Sequence, residues 1–453
     1  MTKLPVISAE PAEALVDECP RIRVSALPPG AEVTLRASAV DGARRSWESR
    51  ATFRATGDGT VDLTEHAPLA GSYAGPDPSG LLWSMRPAGA RRSEAFFSRR
   101  KPRPFQVELS VEIDGATVAR RALRRAFASA DVSSRPADSG DLTGTLYCRP
   151  AAGPEPGVLL LGGSDGGQLD HAAALLASHG YAVLALTYFG AEDLPPGLVD
   201  VDLGYLTAVL DWLTSQPEVR TEQVGVVGLS RGAELALQVA SMDHRVGAVV
   251  AGSPSSVRQP GVGRSFTDFR QPAWLLNGAP LPFLPGQFTF RAAMSFMMIW
   301  LLGRPLRLSA NFSRALRRDA DTVARAAIEV ERIRGPVLLI SGSDDQLWPS
   351  EEFAGRVMAR LAEHGHRYPD QWLRYPGAGH FVCFPYGLPT LPPMTRMSPA
   401  PRMVIDFGGT AAANARSASE SWPLIRAFLA EHLAGANPRP EIRQPPLARE
   451  DAP

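Results

Sequence analysis

Residues 224–240 read VGVVGLSRGAELALQVA. The first six, all Val, Gly or Leu, have the composition of a strand buried on both faces. The stretch from Ala233 onward is rich in strong helix formers. Between them stands Gly228-Leu229-Ser230-Arg231-Gly232, a G-x-S-x-G pattern. In that pattern small flanking residues allow a sharp strand-to-helix turn, which lifts a serine hydroxyl to the edge of a parallel sheet. If this reading is right, the neighbouring sequence must alternate between apolar strands and amphipathic helices.

It does. Residues 158–161, 181–188, 246–251, 337–341 and 371–375 read as further strands of the same sheet. Helical spacing of apolar residues appears over 169–178, through Leu203, Leu206, Val209, Leu210 and Leu213, and through Phe353, Val357, Met358 and Leu361. A last helix carries Trp422, Ile425, Phe428, Leu429 and Leu433. Such alternation predicts an α/β-hydrolase fold with a mostly parallel, doubly wound sheet over 157–434. Residues 253–327 interrupt it and are expected to form a helical cap insertion over the carboxyl edge of the sheet. Within that insertion, AAMSFMMIWLLG at 292–303 reads as a buried cap helix or, alternatively, as an acyl-chain-binding surface. With about a dozen residues against the ~20 needed for a span, it does not predict a membrane crossing.

Residues 1–128 have a different rhythm. Short segments at 21–27, 33–40, 47–56 and 105–113 show partial period-two alternation between Pro-Pro-Gly, Asp-Gly and Gly-Asp-Gly turns, which predicts an antiparallel β-sandwich. Residues 129–156, rich in Ser, Gly and Pro, read as a linker with one strand. Residues 435–453, Pro-rich and polar, read as a loosely ordered tail.

Composition narrows the function. The 453 residues hold Lys+Arg 47 against Asp+Glu 47, with 44% hydrophobic residues. Zero net charge argues against a non-specific nucleic-acid or anionic-membrane binder, which would need a basic surplus. Cys19, Cys148 and Cys383 are too few and too far apart for a disulfide framework or a metal site. Together with an N-terminus lacking an apolar signal core, they predict a cytoplasmic protein. No cofactor and no metal are implied, and the oligomeric state is not encoded in any visible pattern.

The chemistry must come from side chains. G-x-S-x-G recurs at Gly162-Gly163-Ser164-Asp165-Gly166, so context has to choose between two serines. The second pattern lies in a glycine-rich loop, GGSDGG, whose amides can turn toward a neighbouring site. Ser230 is therefore read as the nucleophile and Ser164 as the competing candidate. The backbone N–H groups of Arg231 and of Gly163 or Ser164 are the expected oxyanion donors. A serine needs a base, and the base needs an orienting carboxylate. In this fold they follow in the order Ser, Asp, His. The strand at 337–341 leads into GSDDQLWP, and that at 371–375 into PGAGH. Asp345 is the expected acid, with Asp344 capping the turn, and His380 is the expected base. His66, His171, His179, His244, His364, His366 and His432 receive no role.

Six stretches together resemble the acyl-CoA thioesterase and bile acid-CoA:amino acid N-acyltransferase family. They are GSYAGPDPSGLLWSMRP at 71–87, GVLLLGGSDGG, LALTYFGAEDLP, GVVGLSRGAELAL, ISGSDDQLWPSEEFA and YPGAGHFVCFPYGLP. The resemblance spans nearly the whole chain and implies a triad of Ser230, Asp345 and His380. It also implies that the N-terminal β-sandwich is Ig-like, and that acyl-CoA, or a related thioester, is the substrate. In that family serine at the nucleophile position goes with hydrolysis and cysteine with transfer to an amine. Three function classes follow. The first is an acyl-CoA thioesterase. The second is an acyltransferase or esterase/amidase using the same triad. The third is a non-catalytic module that keeps the fold. Two further features bear on substrate. Asp165 departs from the small residue usual in related loops and would disfavour a negatively charged acyl group. Arg91, Arg92, Arg99, Arg100, Lys101 and Arg103 form a basic cluster, either a solvated loop or a contact for the phosphates of coenzyme A. Arg231 is a separate candidate for such a contact.

Overall fold

In the computed structural model, five apolar runs line up side by side. The structure describes residues 4–433 except 90–94, 99–100, 138–139, 141, 221–222, 264–267, 286–289, 318, 384–388, 390–393 and 397–403. Gly157–Leu161, Ala182–Thr187, Val224–Leu229, Val246–Gly252 and Val337–Gly342 are buried at every residue. Burial on both faces is why these strands read as continuous apolar runs. With Gln371–Tyr375 they form the parallel part of an eight-stranded sheet.

Strands Ser133–Pro136 and Thr143–Cys148 complete the sheet at one edge, the second antiparallel to Ala182–Thr187 and the first antiparallel to the second. The segment read as a linker with one strand thus carries two, both hydrogen-bonded into this sheet. Short strands of mixed polarity such as SSRP give almost no periodic signal, which hid the first of them.

Chain order reverses at the middle of the sheet. Gly157–Leu161 pairs with Ala182–Thr187 on one side and Val224–Leu229 on the other. In open α/β sheets, the crevice beyond the strand ends at such a switch point is where ligands bind. Helices Asp170–Ser178 and Ala411–Leu433 cover one face, with Leu175, Trp422 and Phe428 in a common core. Gly204–Thr214, Arg231–Met242 and Ser350–Glu363 bury Leu210, Leu237 and Val357 against the other.

The N-terminal strands alternate as expected. Glu32–Val40 and Ser46–Arg54 pair along their full nine residues, burying Val33, Leu35, Trp47 and Phe53. A three-stranded sheet and a seven-stranded one contribute to one apolar core here. The sequence reading missed the longest strand, Ala116–Ala126 (ATVARRALRRA), whose four arginines obscure its alternation. Its apolar contacts merge with those of the first helical face in one continuous cluster.

Asp17 pins that junction. Its buried carboxylate accepts hydrogen bonds from Trp422 Nε1 at 2.7 Å and Arg426 Nη1 at 3.1 Å, and pairs with His179 Nε2 at 2.6 Å. Burial alone would raise its pKa. The hydrogen bonds from His179 and Trp422 and the nearby charges outweigh that and hold it below the ordinary value. His179, which the sequence left without a role, is thus part of the contact between the two halves.

Residues of the 253–327 segment pack against the loop and helix that follow Val337–Gly342. Val257, Leu284, Leu316 and Ala326 share a small core with Trp348 and Phe353, and Leu308 N donates to Gln346 O at 2.9 Å. One expectation fails. The apolar run folds as the helix Phe290–Leu301, but Met294, Met297, Met298, Trp300 and Leu301 lie on the surface instead of in a core. Apolar residues recur on every side of this helix, so a single supporting layer cannot cover them. The 435–453 tail lies outside the described residues.

Candidate active site

The strand Val224–Leu229 ends where the sequence predicts a turn, and Ser230 adopts it. Its backbone sits at φ 59°, ψ −118°, a conformation costly for a residue with a Cβ. The turn is held by Ser230 N donating to Gly252 O at 2.8 Å. Helix Arg231–Met242 then starts at once, with Glu234 N donating to Ser230 O at 3.1 Å. Gly232 is required by contact: a Cβ there would stand 2.4 Å from both Gly162 O and Leu161 O. That close approach brings the helix start against the loop after the neighbouring strand.

The same loop carries the proposed second oxyanion donor. The point where a Gly163 side chain would begin is 3.8 Å from Ser230 Cβ and 3.6 Å from Leu229 O. Arg231 occupies the first helical position, where N–H groups have no partner within the helix. The structure therefore brings Gly163 and Arg231 to Ser230 from two strand ends. Ser164 sits on the exposed rim of the loop, whereas Ser230 is buried.

Asp345 and His380 meet across their loops. His380 Nδ1 lies 2.8 Å from Asp345 Oδ2, and both side chains are buried. The carboxylate is itself fixed, because its other oxygen accepts Leu347 N at 3.0 Å and Trp348 N at 3.2 Å. A carboxylate accepting at Nδ1 fixes the tautomer that leaves Nε2 as a proton acceptor. Asp344, the neighbouring acid, is exposed and accepts instead from Gly409 N at 3.0 Å and Gln346 Nε2 at 2.6 Å. The reading of Asp344 as a turn residue agrees with these bonds.

Three supports were missed from sequence. Ser253, at φ 46°, donates its hydroxyl to His380 O at 2.5 Å while its own carbonyl accepts Trp348 Nε1 at 3.1 Å. It ties the acid loop to the histidine loop. Asn414 Oδ1 accepts Gly379 N at 2.8 Å, and Phe407 O accepts His380 N at 2.8 Å, so residues far along the chain brace the histidine. The third is Glu234, one turn into the helix and fully buried. Trp274 Nε1 and Gln259 N donate to it at 2.6 and 3.1 Å, and Arg231 pairs with it at 3.0 Å. Burial pushes its carboxyl above the ordinary value against the pull of Arg231. Its position four residues after the serine was the available signal.

Arg231 is consequently not open to an incoming phosphate. Its guanidinium is buried between Glu234, the Trp274 ring at 5.6 Å and Gln259 O. Of the basic cluster, Arg91, Arg92, Arg99 and Arg100 lie outside the described residues. Lys101 reaches the α/β half through its carbonyl, 3.2 Å from His171 Nε2. Cys383 is buried beside Gly252 with its thiol pushed up to about 12 by burial, which leaves no thiolate for nucleophilic work near neutral pH. Among the described residues no cluster of His, Cys, Asp and Glu has the make-up of a metal site, and no helix is long and apolar enough to cross a membrane.

Comparison with known proteins adds two family matches. Residues 17–138 match the profile described as acyl-CoA thioester hydrolase/BAAT N-terminal region. Residues 201–273 and 304–435 match the one described as BAAT / acyl-CoA thioester hydrolase C terminal. The chain is 31% identical to mouse peroxisomal succinyl-coenzyme A thioesterase, over 96% of this chain and 99% of that protein. It is 31% identical to human acyl-coenzyme A thioesterase 1, over 92% and 94%. Against mouse acyl-coenzyme A amino acid N-acyltransferase 1 the identity is 32%, over 94% and 97%.

Proposed function

Because this chain belongs to the acyl-CoA thioester hydrolase and BAAT family, we propose that it hydrolyses acyl-CoA thioesters to free acid and coenzyme A through an acyl-enzyme on Ser230. The observation that carries the reading is the buried Asp345–His380 hydrogen bond, on loops of the same sheet edge as the strained Ser230 turn.

The chemistry runs in two steps. His380, oriented by Asp345, takes the proton from Ser230 as its oxygen attacks the thioester carbonyl. The amides of Arg231 and of Gly163 or Ser164 stabilise the oxyanion, and the C–S bond breaks to release the thiol with that proton. A water molecule activated by His380 then attacks the acyl-serine, releasing the acid and restoring the hydroxyl. Sulfur conjugates weakly with its carbonyl, so the first step is easier than for an amide. Serine in place of cysteine favours water as acceptor. Transfer to an amine is the second reading, favoured by the likeness to the N-acyltransferase.

We read residues 1–128 as the sandwich domain and 157–434 as the catalytic domain, with 253–327 as its cap. The cysteine usage supports a cytoplasmic location; the relatives include proteins named peroxisomal and mitochondrial. The test is thiol release from a chain-length series of acyl-CoAs, run beside p-nitrophenyl esters and with or without glycine. Acyl-CoA turnover to free acid is expected. Rapid ester cleavage with untouched CoA thioesters would refute it, and an acylated glycine product would transfer support to the second reading.

A further inference from the structure

The helix Phe290–Leu301 and the leucine after it form an apolar surface that nothing in the hydrolytic mechanism uses. Met297 is 52% exposed and Leu301 60%, and Met294, Met298, Trp300 and Leu302 are exposed beside them. Isolated surface hydrophobics are ordinary, but six within nine residues make a contiguous patch of the kind that marks an interaction site. At 1.5 Å per residue the helix is only about 18 Å long, short of the ~30 Å hydrocarbon core. It can lie in an interface, not cross one.

The charge around it identifies what it meets. From Phe269 to Arg318 the chain holds seven arginines, at 270, 291, 304, 307, 314, 317 and 318, and no acidic residue. The whole protein is balanced at 47 against 47, so this segment is locally cationic to an unusual degree. Arg304 follows the helix directly, and Arg304 and Arg314 are exposed. Arg307 and Arg317 pair with Asp406 and Glu352, yet both side chains remain 67% exposed. The two stretches matched by the C-terminal family profile, 201–273 and 304–435, leave this helix between them. The patch is therefore no part of what the profile describes.

We propose that this helix is an interfacial anchor that docks the cap on an anionic lipid bilayer. Met, Trp and Leu enter the boundary between headgroups and acyl chains, and the flanking arginines meet lipid phosphates. A second copy of the chain is a poorer occupant, since pairing these faces would set one row of arginines against another. Binding is measured without turnover, so its failure would leave the hydrolase reading intact.

The experiment is co-sedimentation of the full chain with vesicles of phosphatidylcholine alone or mixed with phosphatidylglycerol. Binding to the mixed vesicles is expected, weakened about tenfold or more by omitting phosphatidylglycerol or by raising salt toward 1 M, where the Debye length falls to about 3 Å. The double variant Met297→Asp/Leu301→Asp should lose binding by a similar factor, as should Arg304→Glu/Arg314→Glu. Met297→Leu should keep it. All of these positions are exposed, so melting temperature and turnover of a short-chain acyl-CoA should stay at the wild-type level. Absence of binding to mixed vesicles, equal binding to both vesicle types, or undiminished binding by the Asp variant would overturn the proposal. So would a wild-type dimer that the Asp variant converts to monomer, which would assign the helix to a second copy.

Discussion

Two pentapeptides of this chain obey the same pattern, Gly162–Gly166 and Gly228–Gly232, and each follows a fully buried parallel strand. Only the second forces its serine to positive φ and begins a helix there. The first opens into a loop whose serine is exposed, and the helix behind it starts later, at Asp170. The two are also partners, since Gly232 fits only because it rests on the carbonyls of Leu161 and Gly162. The pattern thus specifies a tight chain reversal at a strand end. Whether the serine becomes a nucleophile depends on what the next strands deliver beside it.

The largest test of that division of labour is Asp345→Asn. It keeps the shape but disturbs the histidine tautomer, and acyl-CoA turnover should fall by about 10⁴-fold. Asp344→Asn, one residue away, should leave turnover within tenfold, and the reverse ranking would reassign the acid.

A smaller effect is expected from the loop pentapeptide. Asp165 is exposed at its edge, yet neighbouring protein atoms desolvate its carboxyl and raise its pKa. Its Oδ1 lies 3.7 Å from the point on Gly163 that is 3.8 Å from Ser230 Cβ. A carboxylate there should repel an acyl chain ending in its own carboxylate. At an effective dielectric of about 20 such repulsion is worth about 1–2 kcal/mol, so Asp165→Asn should raise kcat/KM for that substrate about tenfold relative to a neutral acyl-CoA. The sign of the pH dependence follows. Below the raised pKa the wild-type side chain is neutral, so the advantage of Asn should shrink as pH falls through that value. An advantage independent of pH would remove charge as the cause.

The smallest change is predicted for Ser164→Ala. Losing an oxyanion donor costs about 10²–10³ in rate, but this substitution keeps the backbone amide, so turnover should drop less than about tenfold. A loss as large as that of Asp345→Asn would break the distinction between the two serines.

What could be read from sequence follows from the same physics. Strands buried on both faces announce themselves as apolar runs, and sharp turns at their ends leave Gly, Ser, Asp and His in the loops. The elbow, the acid loop and the histidine loop were legible for that reason. Strand Ala116–Ala126 was not, because six of its first seven residues are exposed and its alternation is lost among arginines. The Asp114-Gly115 turn before it, with both residues at positive φ, was the missed sign of a hairpin. Ser253, Asn414 and Asp17 were illegible for another reason. Each acts through contacts with residues from 30 to more than 400 positions away, which no local pattern records. The helix Phe290–Leu301 was legible as a helix but not as a surface, since apolar composition alone does not say what covers it.

The most direct test of the central claim is to find the acyl group itself. The protein is mixed with an acyl-CoA, quenched in acid during the first turnovers, digested and mapped by mass spectrometry. The account predicts an acyl ester on the peptide carrying Ser230, absent from Ser230→Ala, with Ser164 unmodified. An adduct on Ser164, or release of coenzyme A that survives in Ser230→Ala, would contradict it.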